Sequence, residues 1–237
     1  MNSFVLKVIG ITTMTLDHVG KAFFKDLIWL QYIGRFAFPI FAFSLAQGYI
    51  HTKDVGKYLK RLAGFAILSQ IPYTVFEILS GGSSEKLNVL FTLLLGLVAI
   101  YACDRIKIRW LSIAIVIGIC VAGELLRVDY GAYGIATVAL FYYYSVILER
   151  IKENKRQRIV WTALVWLCFL AMTLFKNYDI LQMVLAGNDF WALMIIWTVM
   201  SFALLIMYNG KLGPKCKYLF YLFYPFHLTV ICLMLVI

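Results

Sequence analysis

Asp17 and His18 lie inside an apolar run from about Phe4 to Phe24, in the stretch Thr15-Leu16-Asp17-His18-Val19-Gly20. Ionisable side chains in a membrane-length helix are costly and point to function by default. A histidine takes and returns a proton near neutral pH, and a carboxylate can orient it and steady its cation. Adjacent helical residues do not face each other, however. Asp17 is therefore expected to serve another group, either Arg35 or a histidine from another helix such as His227. A purely structural Asp–Arg tie between the first two spans is the alternative. Arg35, in Gly34-Arg35-Phe36-Ala37-Phe38-Pro39, keeps its charge and is no base. It suits a carboxylate partner, or negative charge developing on a reacting oxygen. His18 and Asp17 are thus the catalytic candidates, with Arg35 on the substrate side.

Further polar groups could join them. Asn88 and Thr92 are four apart and share a helix face, which suits a cavity or ordinary interhelical hydrogen bonding. Gln70 lies in Ser69-Gln70-Ile71-Pro72-Tyr73, and Tyr224 and His227 lie three apart in Tyr224-Pro225-Phe226-His227. Both prolines should kink their helices and free backbone carbonyls. Asp129 and Tyr130 precede a span. Lys7 stands eleven residues before His18 on nearly the same helix face, about 16 Å away along the axis. It either lines a passage toward the histidine or snorkels to the headgroups. The tyrosines of Phe141-Tyr142-Tyr143-Tyr144 read as an interfacial belt. His18, His227 and an aspartate could in composition hold a metal, but no HExxH-type motif supports one, and no metal is expected. There is no GxGxxG or GxxxxGK[ST] phosphate-binding pattern.

The elements that must position these groups follow from composition. The 237 residues are 63% hydrophobic and 14% charged, against about 45–50% and about 25% in soluble domains. The fold class is therefore all-α, a polytopic integral membrane protein, with residues 1–237 forming a single transmembrane domain. Nine spans are read at about 4–24, 29–50, 59–79, 87–103, 108–125, 132–149, 158–175, 190–208 and 217–236, with eight or ten as alternatives. A short apolar run at Ile180–Ala186 reads as re-entrant or interfacial. The N-terminal run carries Asp17 and His18 and no small-residue cleavage site, so it does not read as a cleaved signal peptide. Cys103, Cys120, Cys168, Cys216 and Cys232 show no metal-ligand spacing and read as small apolar residues.

The net charge of +10 sits in short loops, which argues against a nucleic-acid partner and for topology. Lys53, Lys57, Lys60 and Arg61 follow span two, and Arg105, Lys107 and Arg109 follow span four. Arg150, Lys152, Lys155, Arg156 and Arg158 follow span six, and Lys211, Lys215 and Lys217 follow span eight. These alternate loops belong inside the cell, so the N-terminus is inside and the candidate residues gather in the outer half of the membrane. The basic loops, Lys60 and Arg61 among them, could bind phosphates.

Together these stretches resemble the TraX family of bacterial membrane proteins. The resemblance rests on Thr15–Gly20, Ile33–Phe43, Gly48–Thr52, Tyr58–Leu62, Ser69–Tyr73, Asn88–Gly96, Asp129–Gly134 and Phe223–Leu228, and is weakest over residues 150–210. The family takes its name from the protein that N-acetylates the F-type pilin. The resemblance implies a transferase in the bacterial cytoplasmic membrane, moving an acetyl group from cytosolic acetyl-CoA to an amine or hydroxyl beyond the membrane. In that reading Lys7, Lys60 and Arg61 meet the cofactor. His18 acts as general base or acyl carrier, and Arg35 or Asn88 steadies the oxyanion. The partners are the bilayer, acetyl-CoA and an acceptor that family membership does not fix. A proton- or ion-coupled transporter with Asp17, Arg35 and His227 as a relay is the competing class, and a structural partner in a larger assembly is a third.

The charge pattern generates a topology prediction. A cysteine introduced near Ser83 should react with a membrane-impermeant reagent in intact cells, whereas cysteines within 53–61 or 150–158 should be protected. Protection of the Ser83 position would invert the orientation.

Overall fold

The computed structural model describes residues 1–106, 108–179, 182, 192–214 and 217–237. The expectations for Lys107, Cys216, Lys215 and the run 180–186 (Gln182 apart) fall outside these residues, as do the side chains of Arg109 and Lys217. Among the described residues the fold is all-helical. It comprises α1 (Ser3–Phe23), α2 (Trp29–Gly34), α3 (Ala37–Ile50), α4 (Val55–Ser80), α5 (Val89–Arg105), α6 (Arg109–Leu125), α7 (Gly131–Arg150), α8 (Lys155–Lys176), α9 (Ala192–Ile206) and α10 (Lys217–Val236). α4, α7, α8 and the stretch Tyr218–Val236 of α10 are long and apolar enough to cross a membrane, and α6 and α9 are shorter apolar helices. With the TraX-like sequence pattern, this is the make-up of a membrane protein. Outward-facing Ile67, Ile71, Ile117, Leu222 and Phe226 are exposed, as lipid contact requires.

Most expected segments are helical within a few residues, and two differences have clear causes. The run 29–50 is broken at Arg35–Phe36 into α2 and α3. Pro39 has no N–H, and its ring would meet the carbonyl of Arg35 in a continuous helix. In the first turn of α3 the same proline is harmless. Helix α4 starts four residues before the expected 59, because the Asp54 side chain accepts from the Lys57 N–H at 2.8 Å and caps it. Pro72 and Pro225, by contrast, lie inside helices that continue on both sides of them.

The bundle is held by α7, which packs against α3, α5, α6 and α8. Phe141 is fully buried, with its ring 5.4 Å from Phe169 and 6.1 Å from both Phe43 and Phe202. This corrects the reading of Tyr142–Tyr144 as an interfacial belt. Only Tyr143 is exposed; Tyr142 donates to Asp104 at 3.1 Å, and Tyr144 is buried beside Thr162 at 3.3 Å. A helix with neighbours on several sides turns two of three successive tyrosines inward.

On the other side of the bundle α10 packs against α4 and α1, and α1 and α4 barely touch each other. The basic loops and the α1 N-terminus share one end: Ser3 N–H donates to the Lys211 carbonyl at 2.8 Å, and Asn209 N–H to that of Met1 at 2.9 Å. The loops 24–28, 81–88 and 126–130 occupy the opposite end. There Leu87 and Val128 form a parallel bridge, with Asp129 N–H donating to the Leu87 carbonyl at 2.9 Å.

The α5–α7 contact is close because Gly96 faces Val138. A Cβ at Gly96 would lie 2.8 Å from the Val138 Cβ. Gly96→Ala should destabilise by about 1–3 kcal/mol, as overpacking does, read as a lower unfolding midpoint in detergent. Gly64→Ala, inside α4 with open space around it, is the control and should not destabilise.

Candidate functional site

Asp17 and His18 point to different neighbours, as residues about 100° apart on a helix should. Asp17 faces α2. Its Oδ2 lies 2.6 Å from Lys21 Nζ and its Oδ1 3.4 Å from an Arg35 terminal nitrogen. Arg35 also donates through Nε to the Gln31 carbonyl at 3.2 Å. Gly34 allows this approach, since a Cβ there would lie 2.4 Å from the Asp17 Cβ. The expected Asp17–Arg35 contact is present. Lys21, one helical turn on, is the nearer cation, and its i,i+4 spacing was the sequence signal for it.

His18 faces α4 and α10. Its ring meets Phe76 edge-on at 5.0 Å, and its Nδ1 lies 2.8 Å from His227 Nε2. His227 Nδ1 is in turn 2.8 Å from the Phe223 carbonyl oxygen. A carbonyl only accepts, so His227 Nδ1 carries a hydrogen and donates it. For neutral rings this leaves His227 Nε2 as an acceptor, and His18 Nδ1–H donates to it. The His18 proton is thereby fixed on Nδ1, and its Nε2 keeps a free lone pair. Among the described residues no hydrogen bond reaches that nitrogen. The ring is oriented by a second histidine, not by the neighbouring carboxylate. Phe223 and Tyr224 pack on the His227 ring at 5.0 and 5.6 Å and hold it in place.

Asn88, Gln70 and Thr92 form a different unit. Asn88 caps α5 through Oδ1, which accepts from Leu90 N–H at 3.0 Å. Its amide nitrogen donates to the Ala66 carbonyl at 2.8 Å and to Gln70 Oε1 at 2.9 Å. Gln70 donates to the Lys86 carbonyl at 3.0 Å and to Thr74 at 3.1 Å. Both amide hydrogens of Asn88 are taken, leaving none for an oxyanion. Thr92 accepts the Tyr130 N–H at 3.3 Å, and Tyr130 stacks on Phe38 at 3.8 Å. These residues tie α4, α5 and α7 together and set the position of Tyr130 and Asp129.

Asp129 is held by its backbone and forms no ion pair among the described residues. Burial pushes its carboxyl above the ordinary range, against the pull of nearby Lys21, Lys86 and Arg35. Tyr73, Tyr224 and Glu77 lie within its electrostatic reach. Glu77 was missed in the sequence, although it stands one turn beyond Tyr73 on the same face of α4.

Of the residues expected to meet the cofactor, two come to one place and the third does not. Lys7 lies over the Phe220 ring at 5.5 Å, and Arg61 sits between the rings of Tyr58 and Tyr221 at 5.3 and 5.4 Å. Both thus flank the start of α10 at the basic end, whereas Lys60 is exposed. Among the described residues no group of three metal-ligating side chains comes together.

Comparison with known proteins places this arrangement in a family. The profile described as "TraX protein" matches residues 3–235. The chain belongs to the TraX family. It is 31% identical over 254 aligned residues to the "probable fimbrial assembly protein FimC, serogroup H1" of Dichelobacter nodosus, covering 98% of this chain and 94% of that one. It is 27% identical to "protein TraX" of Escherichia coli strain K12, over 71% of this chain and 62% of the relative. A second Escherichia coli TraX is 26% identical over 96% and 84%. No solved structure matches. The family match spans every residue of the two sites just described.

The Asn88 network yields a prediction that separates scaffold from substrate contact. Asn88→Ser keeps a capping oxygen and loses the paired amide donation, and Asn88→Ala loses all three bonds. Stability should fall from wild type to Ser to Ala, by about 1–3 kcal/mol for the alanine variant, measured by thermal unfolding. Wild-type stability with lost activity in both variants would make Asn88 a substrate contact.

Proposed function

We propose that this TraX-family protein is an acetyltransferase of the bacterial cytoplasmic membrane. In this reading it crosses the bilayer several times with its N-terminus inside. It moves an acetyl group from cytosolic acetyl-CoA to an amine or hydroxyl entering from the outer side. The observation that carries the reading is the hydrogen-bonded series Phe223 carbonyl, His227, His18. It leaves a lone pair on His18 Nε2 at the head of a buried relay, which is what a general base needs.

His18 Nε2 takes the proton from the acceptor N–H or O–H as the freed electron pair attacks the thioester carbonyl carbon. The C–S bond then breaks, and the departing CoA sulfur recovers the proton from His18. During attack the imidazole becomes cationic, and the Nδ1–H bond to His227 steadies that charge. Arg35, held only loosely at 3.4 Å by Asp17, has donors left for the oxyanion. Asp17 is a positioning residue for Arg35 and Lys21. The acceptor enters past Asp129, Tyr130, Tyr73 and Tyr224. At the opposite, basic end Lys7 and Arg61 flank the start of α10, the end from which the donor would arrive. A relative named for fimbrial assembly fits an acceptor that is itself a surface-assembly subunit.

The experiment is acetyl transfer from labelled acetyl-CoA in proteoliposomes. His18→Gln keeps polarity but takes no proton, so turnover should fall by about 10²–10⁴-fold, with insertion and CoA binding retained. His227→Gln should fall by a smaller factor, because the base remains but its tautomer is no longer fixed. Near-native turnover in both variants would sink the histidine mechanism, and loss in His227→Gln alone would exchange the roles. Proton or solute flux with no transfer would make the protein a transporter instead.

A further inference from the structure

A cavity in the described structure lies away from the histidines. It lies at the basic end, between α3, α7, α8 and α9, with a volume of about 1200 Å³. That exceeds the roughly 300–1,000 Å³ usual for small-molecule sites. Its walls are apolar: Phe43, Leu148, Ile159, Trp166, Leu205 and Ile206. Ile159 and Ile206 are exposed at its lip, so the apolar part opens sideways, where a bilayer would be.

The rim is cationic. Lys155 and Arg158 open α8, the helix start adding its own positive field, and His51 ends α3. Lys152 on the rim is paired with Glu149 at 3.3 Å. Lys155 and Arg158 have no ion-pair partner among the described residues. His51 donates through Nδ1 to the Gln47 carbonyl at 2.8 Å, which leaves Nε2 on the open side of that bond. On another wall, Tyr208 lines the cavity with its ring. Gln47, whose amide donates to Ser145 at 2.7 Å, adds a polar step between rim and wall.

Two cations at the mouth with no ion-pair partner among the described residues, and an apolar wall behind them, form a set with one complement. We propose that this cavity binds a phosphate ester carrying a long uncharged arm, the phosphate against Lys155 and Arg158 and the arm along α8 and α9. An anionic phospholipid and the nucleotide end of coenzyme A both have this chemistry. The cavity then serves either as a lipid site that ties the enzyme to its membrane or as a docking place for the acyl donor. Only the second use rests on the transferase reading.

The test is equilibrium binding to the full chain in neutral detergent, with coenzyme A, phosphatidylglycerol and inorganic phosphate as separate probes. One of the first two should bind saturably, and phosphate alone far more weakly. Lys155→Gln with Arg158→Gln should weaken that binding at least about tenfold, on the scale of charge-assisted hydrogen bonds. Ala163→Trp, which fills the apolar side, should weaken it with the rim intact and stands in if the double variant misfolds. Lys53→Gln, an exposed cation outside the cavity, should change nothing. Preference for coenzyme A makes this the donor site, and preference for phosphatidylglycerol makes it a lipid site. Binding of neither probe, or binding indifferent to all the cavity variants, overturns the proposal. The readout needs no acetyl transfer, so failure of the histidine mechanism leaves it standing.

Discussion

A carboxylate inside a helical bundle must be matched by positive charge, or it destabilises the fold by several kcal/mol. Asp17 is that carboxylate, and one end of the bundle is arranged around it. Lys21 answers it from its own helix and Arg35 from the break between α2 and α3. The break lets the Arg35 guanidinium reach back, and Gly34 lets α2 close against α1. Without the pair, α2 would have a buried charge against it and little reason to stay.

Once Asp17 is turned to α2, helical geometry turns His18 away from it, toward α4 and α10. The buried imidazole then needs a partner of its own, and α10 supplies His227. The two residues side by side in the chain therefore have separate tasks. One secures the architecture, and the other is left with a directed hydrogen bond and an unused nitrogen. The prolines fit the same logic: Pro225 lies between the Phe223 carbonyl and His227, in a helix that stays continuous while offering that carbonyl to an imidazole.

Much of this was legible in the sequence. Apolar runs separated by basic loops gave the helices, because burial and charge placement act on composition directly. Asp17, His18 and Arg35 stood out because charge is rare in such runs. Three features were hidden. The His18–His227 bond joins residues 209 positions apart, and no periodicity links them. Asn88 and Gln70 looked like substrate contacts, since a polar side chain satisfied by a neighbouring backbone reads the same as one facing a cavity. The cavity of α3, α7, α8 and α9 depends on which helices pack together, and the basic loop 150–158 gave only the charge on its rim. Glu77 and Lys21 were within reach of simple i,i+4 spacing.

The Leu87–Val128 bridge has a consequence for how such a protein diverges. Asp129 is located by main-chain bonds between two loops, with Asp129 N–H on the Leu87 carbonyl and Leu87 N–H on that of Arg127. Main-chain pairing is indifferent to most side chains. The residues on this clasp can be exchanged while the clasp keeps its shape, so the mouth of the proposed site can acquire a new chemical character without rebuilding the bundle beneath it. In the proposed transferase, this division keeps one reactive centre while its clientele changes.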